Sequence, residues 1–453
     1  MGIPEFRSKS SLADTVISID ICFSSRHYPD IPVKKGTELT LEHEIGHKED
    51  IQLYITAKLR LKNKAAQTLQ AEILEKSSLI FLWVVLVVDI LNSEYYPGKP
   101  IGMMRQRLEK IPPKLADLFK MILTRDEENP KLLQICLQWI LFATRPLKPQ
   151  ELYFAVQFGL KEAPCSGQWD QGTVDLDEMK AFVRHSSKGL AGVTRSKTSE
   201  VQFIHESVRE FLLGNDGAGQ WSGAIVSGNV EGQSHEVLRD CCLAQLETDM
   251  DLEPSGSSTS QGSSEAVQTQ LRADLRLRFP LLEYSLLNIL QHANSAQQHG
   301  VGQQAFLDRF PLHKWATIHD VLEKHAVRRY SRSIHLRYIL AEKNLADLIK
   351  IHPRQQSCFD VVPEARYGPL IFAALATGST EAVRALLEAE VPAQPVESQC
   401  RLQEQCKLAF KNRKQLGNLG GSSFIFSRRK GVLGHLAEYG HELFDVFLLD
   451  LSR

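Results

Sequence analysis

The order of apolar and polar residues divides this chain into a short strand-like start and a long helical remainder. Residues 16–23, VISIDICF, are a β-branched run closed by Ser24, Ser25 and Arg26 and then by Pro29 and Pro32, which predicts a buried strand followed by a polar turn. Over 39–45, Leu39, Leu41, His43 and Ile45 alternate with Thr40, Glu42 and Glu44, the period of a half-buried strand, and Gly46 ends it. Ile51, Tyr54, Ile55 and Leu59 then fall at helical spacing, behind Glu49 and Asp50, whose charges suit a first helical turn.

From there the helical period dominates. The apolar run 79–88 in SSLIFLWVVLVVDILN reads as a buried helix, and Leu115, Leu118, Phe119, Ile122 and Leu123 form a stripe that buries one face of another. Asn129 can cap a helix that has Pro130 in its first turn, while Pro146 and Pro149 stop one helix and open the next. EVQFIHESVREFLLG, 200–214, predicts a short strand, a turn at His205 and a helix facing Val208, Phe211 and Leu212 inward before Gly214. Helix, helix, strand, helix in that order is compatible with a winged-helix unit. Gly and Ser concentrate in 214–235 and 253–267, which predicts linkers, with a protease-sensitive stretch at 253–265. Helical packing resumes at RLRFPLLEYSLLNIL.

A repeat occupies the last part. In 366–391 a Pro-Leu turn precedes a small-residue helix, Gly378 punctuates it, and Ala382, Val383, Leu386 and Leu387 follow on a second helix. Asn344 stands in a similar setting upstream, and Ala437, Gly440, Leu448 and Leu449 repeat the scheme after an insertion. The interval from Asn344 to Gly378 is close to the length of one ankyrin unit, and such units must stack because none buries its apolar face alone. At the chain end, Phe444, Phe447 and Leu448 are expected to form a partly open apolar face, available to a partner or to self-association unless residues 399–421 cover it.

Composition narrows the function classes. With 53 Lys and Arg against 54 Asp and Glu, the formal net charge is −1, so neither the whole-chain charge nor a basic stripe points to nucleic acid. Eight scattered cysteines without a C-x-x-C pair suit buried free thiols in a reducing compartment. The longest apolar run, Leu79 to Val88, is about half a membrane span. A cytoplasmic protein without a cofactor is the expectation.

His43-Glu44-Ile45-Gly46-His47 matches the H-E-x-x-H pattern of zinc hydrolases, in which a helix brings two imidazoles to one ion. On a strand, positions four apart lie about 13 Å from each other, too far for one ion with ligands at about 2 Å. The alternating pattern around His43 therefore argues against a metal site there.

Taken in order, DICFSSRHYPDI with EDIQLYITAKL, then SSLIFLWVVLVVDIL, IPPKLADLFKMIL, LQWILFATRPLKPQEL and VQFIHESVREFLL resemble the fungal NACHT proteins with ankyrin repeats, members of the signal-transducing ATPases with numerous domains. The resemblance covers residues 17–214 and, more loosely, 276–453. It implies a mainly α, multidomain chain: an α/β remnant of the NACHT ATPase core over 1–60, a helical domain over 61–128 and a winged-helix-like domain over 129–214. A Gly/Ser-rich linker region over 215–275, a helical linker domain over 276–334 and degenerate ankyrin-like repeats over 335–453 complete it.

The resemblance further implies nucleotide-sensor roles for Arg26, facing a γ-phosphate, and His205, touching a β-phosphate. A turn residue and a helix-start cap are the plain structural alternatives. A phosphate loop needs G-x-x-x-x-G-K-[ST], whose amides and lysine surround the phosphates. Gly98-Lys99 is followed by Pro100 and lacks the first glycine, so the chain is similar to the C-terminal portion of such a protein. The implied role is non-enzymatic interaction or regulation through protein partners in a signalling or self/non-self pathway. The alternatives are a nucleotide-dependent switch completed by a phosphate loop from another chain, and the zinc hydrolase.

Overall fold

The computed structural model describes residues 45–62, 64–124, 129–161, 167–214, 217, 221, 229–252, 265–353, 356–360 and 362–390. These are mainly helical, and the chain divides into two compact units at Val84 and Val85. None of the described helices is long and apolar enough to cross a membrane. The expected strand at 16–23, Arg26, His43, the 253–264 stretch and the third repeat with Phe444, Phe447 and Leu448 lie outside the described residues.

In the first unit, α1 (Ile45–Lys58) and α2 (Lys64–Lys76) form a hairpin, and α3 (Phe81–Ser93) begins after a turn in which Ser78 and Leu79 have positive φ. Ile51 and Ile55 on α1, followed by Leu59, are fully or almost fully buried, as are Leu69 and Ile73 on α2. Spacings of three and four put each set on one helical face.

Of the strand expected over 39–45, residues 39–44 lie outside the described residues, and its last position departs from the expectation. Ile45 already belongs to α1, and His47 sits in its first turn, donating through Nε2 to the Leu79 carbonyl at 2.9 Å. The apolar anchors at 51, 55 and 59 let the helix extend back past Glu49 to Ile45. Helix α3 is the buried helix expected from its run: Trp83, Val84, Leu86, Val87, Val88, Ile90 and Leu91 are buried and Asp89 is exposed.

The second unit continues with α4 (Ile101–Lys110), α5 (Leu115–Thr124), α6 (Pro130–Phe142), α7 (Pro149–Leu160) and α8 (Leu176–Ser186). Asn129 Oδ1 accepts from the Leu132 amide at 3.0 Å, the expected cap ahead of Pro130. Strands β1 (Ala191–Val193) and β2 (Val201–Phe203) pair antiparallel, Gly192 opposite Gln202, and α9 (Glu206–Leu213) follows. The Val201 amide also donates to Leu147 O at 2.8 Å, tying the hairpin to the loop between α6 and α7.

Helix α10 (Val230–Glu247) contradicts a linker spanning 215–275. It packs along α12 (Leu282–Gln298) and against α6 and α7, burying Leu238, Cys241, Cys242 and Leu246 completely or nearly so. Gly232, which reads in the sequence as flexibility, is a packing residue: a Cβ there would lie 2.9 Å from His299 Cβ and 2.6 Å from Asn229 Oδ1. Asn229 caps the helix by accepting from Gly232 N at 3.1 Å and donates through Nδ2 to His299 O at 2.6 Å. Glycine content was legible; the close approach that requires it was not.

After α11 (Glu265–Arg278), α12, α13 (Gln304–Arg309) and α14 (Leu312–Leu322), two helical hairpins close the described chain. They are α15 (Leu336–Glu342) with α16 (Ala346–Ile351) and α17 (Leu370–Ala376) with α18 (Thr380–Glu390). One interval relates them throughout: Leu336 to Leu370 at the first helix starts, Ala346 to Thr380 at the second, and Asn344 to Gly378 at the turns. Asn344 (φ 59) and Gly378 (φ 69) adopt the left-handed conformation that Asn and Gly tolerate. The hairpins are bonded to each other as well: Asn344 Oδ1 accepts from the Ala382 amide at 2.9 Å, and Ser379 Oγ donates to Glu342 O at 3.2 Å. Each turn thus supplies a partner to a helix end of its neighbour.

Candidate functional site

His205 is the sequence-derived site residue that falls within the described chain. It is the N-cap of α9, its ring accepting through Nδ1 from the Ser207 amide at 3.0 Å, so the plain capping alternative is what the geometry displays. Its position has a second property. The helix start forms one wall of a cleft of about 350 Å³, whose remaining walls are β2, Leu152 and the chain from Trp139 to Leu147.

The polar groups facing this cleft are Thr144, Arg145, Gln202, His205, Glu206 and Arg209. Arg145 is committed. It grips Glu151 with two bonds, Nη1 to Oε2 at 2.9 Å and Nη2 to Oε1 at 2.7 Å, and stacks over the Tyr284 ring at 5.2 Å. The bond from Glu151 holds the guanidinium above its ordinary range. Glu151 is buried and also accepts from the Lys148 amide at 2.7 Å, which fixes the start of α7. Arg209 lies 3.6 Å from Glu206 in an exposed pair one helical turn apart.

Behind Thr144 a line of buried polar groups runs inward. The Thr144 amide donates to Tyr284 Oη at 3.0 Å, Tyr284 Oη lies 2.9 Å from His292 Nε2, and His292 Nδ1 lies 3.0 Å from His235 Nδ1. One proton must sit between the two Nδ1 atoms, since two hydrogens or two lone pairs facing each other would repel. With Thr144 Oγ1 donating to Asn288 Oδ1 at 2.7 Å, the shorter partner for the tyrosine proton is His292 Nε2. His292 then carries its hydrogen on Nδ1 and donates to His235, whose remaining hydrogen is on Nε2. Burial depresses both histidines below their ordinary range, while Glu231 partly opposes the shift at His235 and His299 adds to it. Burial also raises the Tyr284 phenol.

These groups are arranged for permanence. Each histidine is neutral, Trp139 packs edge-on against both Tyr284 and His292, and the thiols of Cys136, Cys241 and Cys242 are free, buried and pushed up by burial, to about 12 for Cys136. A thiol held protonated is a packing group and a poor nucleophile. Among the described residues no group of three His, Cys, Asp or Glu side chains is placed to hold a metal ion, and His47 uses Nε2 on a carbonyl.

Sequence reasoning found His205 and missed Thr144, Arg145, Glu151, Tyr284, His292 and His235. Glu151, three positions after Lys148 at a Pro-initiated helix start, had a local capping signal. The two histidines stand on helices far apart in the chain and carry no periodic mark. Comparison with known family models, curated proteins and solved structures gives no match to this chain.

Proposed function

We propose that this chain is a non-enzymatic interaction and regulatory protein of the NACHT–ankyrin kind, which works by presenting a stacked helical-hairpin surface to protein partners. The observation that carries the reading is the single interval shared by helices and turns over 336–390, together with the Asn344–Ala382 bond that couples one unit to the next. A stack of such units grows a continuous surface from short elements, which suits recognition. The three helices α6 to α8 followed by the β1–β2 hairpin support the winged-helix-like part of the same reading.

The second reading, a nucleotide-dependent switch completed by another chain, draws on the place of His205 beside the cleft. Against it, Arg145 is already held by Glu151, and His205 Nδ1 is used in the cap.

The test of the interaction reading is affinity capture with the intact chain and with a variant carrying Lys350→Glu, Glu381→Lys and Glu388→Lys, all on the second helices of the hairpins. Reproducible partners captured by the former and lost by the folded variant support it. Partners captured equally by both contradict it.

A further inference from the structure

In the second unit a trough of about 720 Å³ lies between α11, α14 and the chain that leads into the first hairpin. Its floor is apolar and only partly covered, with Leu271 on α11 and Leu312, Ala316 and Val321 on α14 all half-buried. An open apolar floor of this kind is where a protein takes an occupant.

The charge along its rim specifies which kind. Residues 323–337, EKHAVRRYSRSIHLR, hold five Lys and Arg against one Glu, in a chain whose overall net charge is −1. Arg329 and Arg332 line the trough, and Lys324, Arg328 and Arg332 are exposed. Arg329 is steadied by donating to Glu323 O, through Nε at 3.3 Å and Nη2 at 3.2 Å, which leaves its charge without a carboxylate in those bonds. The trough's own acid is occupied: Asp320 Oδ1 accepts from the Tyr330 amide at 2.9 Å and lies 3.1 Å from His319 Nδ1. His313 bonds to Thr317 at 3.2 Å.

We propose that this trough is a docking site for an acidic amphipathic peptide, whose apolar side chains lie on Leu271, Leu312, Ala316 and Val321 while its carboxylates meet Arg329 and Arg332. A groove between two helices receives a third by its anchors at positions i, i+3, i+4 and i+7, and a cationic rim steers the acidic face. The Ser-rich residues 254–264, which join two sides of the trough in sequence, have no large apolar side chain to fill such a floor. This inference is independent of the hairpin-surface reading.

The probe is a labelled synthetic peptide of residues 438–453, EYGHELFDVFLLDLSR, which has Phe444, Phe447, Leu448 and Leu451 at the required spacing and four acidic side chains. Fluorescence anisotropy on the intact protein should show binding that weakens with added salt, and by about tenfold or more when Arg329→Glu and Arg332→Glu are combined. The peptide with Phe444→Ser and Phe447→Ser should not bind. A photo-crosslinking residue in place of Thr317 reports the occupant directly. An adduct with the added peptide, or with the protein's own 438–453 where that sequence already fills the trough, supports the site. Adducts confined to 253–264, salt-independent binding, or neither adduct nor binding would overturn it.

Discussion

The helix pair α10–α12 and the two hairpins over 336–390 are both made of amphipathic helices, yet they are held together in different ways. Between α10 and α12 the fit depends on single side chains far apart in sequence: Gly232 against His299, and His235 against His292, the latter continuing through Tyr284 to Thr144. Between the hairpins the fit depends on a left-handed turn that recurs from Asn344 to Gly378 and on side-chain bonds at those turns, Asn344 to Ala382 and Ser379 to Glu342. The first region is specified by a buried polar network with a fixed set of protons. The second is specified by local backbone geometry repeated. A network of the first kind fails as a whole when one member goes, whereas stacked units come apart at an edge.

The largest effect should separate these modes of failure. Leu238→Ala empties a fully buried position on α10 and should cost about 2–5 kcal/mol, lowering the urea midpoint of one transition for the whole second unit. Leu386→Ala, equally buried on α18, should instead release the hairpins first, seen as early hydrogen exchange over 336–390. Early exchange in α10 and α12 for both variants would break the comparison.

Acid should act most strongly on the network, where two histidines are depressed, and less on the hairpins, where burial depresses His352 alone. The folded histidines have depressed proton affinity, so below the ordinary value of 6.5 the unfolded chain binds more protons than the folded one. Stability is therefore full above about pH 6.5 and falls as the pH drops toward the folded values, by about 1.4 kcal/mol per pH unit for each histidine. Urea midpoints at pH 7 and pH 5 check this, and His292→Phe with His235→Leu should flatten the dependence. An equally steep loss in the double variant would place the acid sensitivity elsewhere.

Tyr284→Phe removes one oxygen and strands the Thr144 amide and His292 Nε2, at a cost of about 1–3 kcal/mol. The smallest effect belongs to the hairpins. Asn344→Ala loses the cap on Ala382 and places alanine at positive φ, costing about 1 kcal/mol or slightly more, while Asn344→Gly keeps the turn and loses only the bond. A glycine variant less stable than the alanine variant would contradict the left-handed turn as the main determinant.

Legibility followed the same division. The stripe from Leu118 to Leu123, the Asn129 cap with Pro130, the strand and helix around His205, and the interval from Asn344 to Gly378 were all readable, because each is written in residues close together or evenly spaced. The start of α1 at Ile45, ahead of Glu49 and Asp50, was not legible because the helix draws its stability from anchors further along. Helix α10 was hidden behind glycines, and the reason for Gly232 is His299, a neighbour from beyond the end of another helix. At the candidate site, His205 was legible as a local turn, whereas the line from Thr144 to His235 exists only after folding brings separate segments together.

The proposal that this protein works by binding partners predicts that it does not turn over nucleotide. Phosphate release from ATP with magnesium, measured on the purified intact chain beside His205→Ala, tests it most directly. The account predicts no release above buffer for either protein, together with no heat of ADP binding in a parallel calorimetric titration. Steady turnover by the wild type that is abolished in His205→Ala would contradict it and would make the cleft beside α9 a catalytic site.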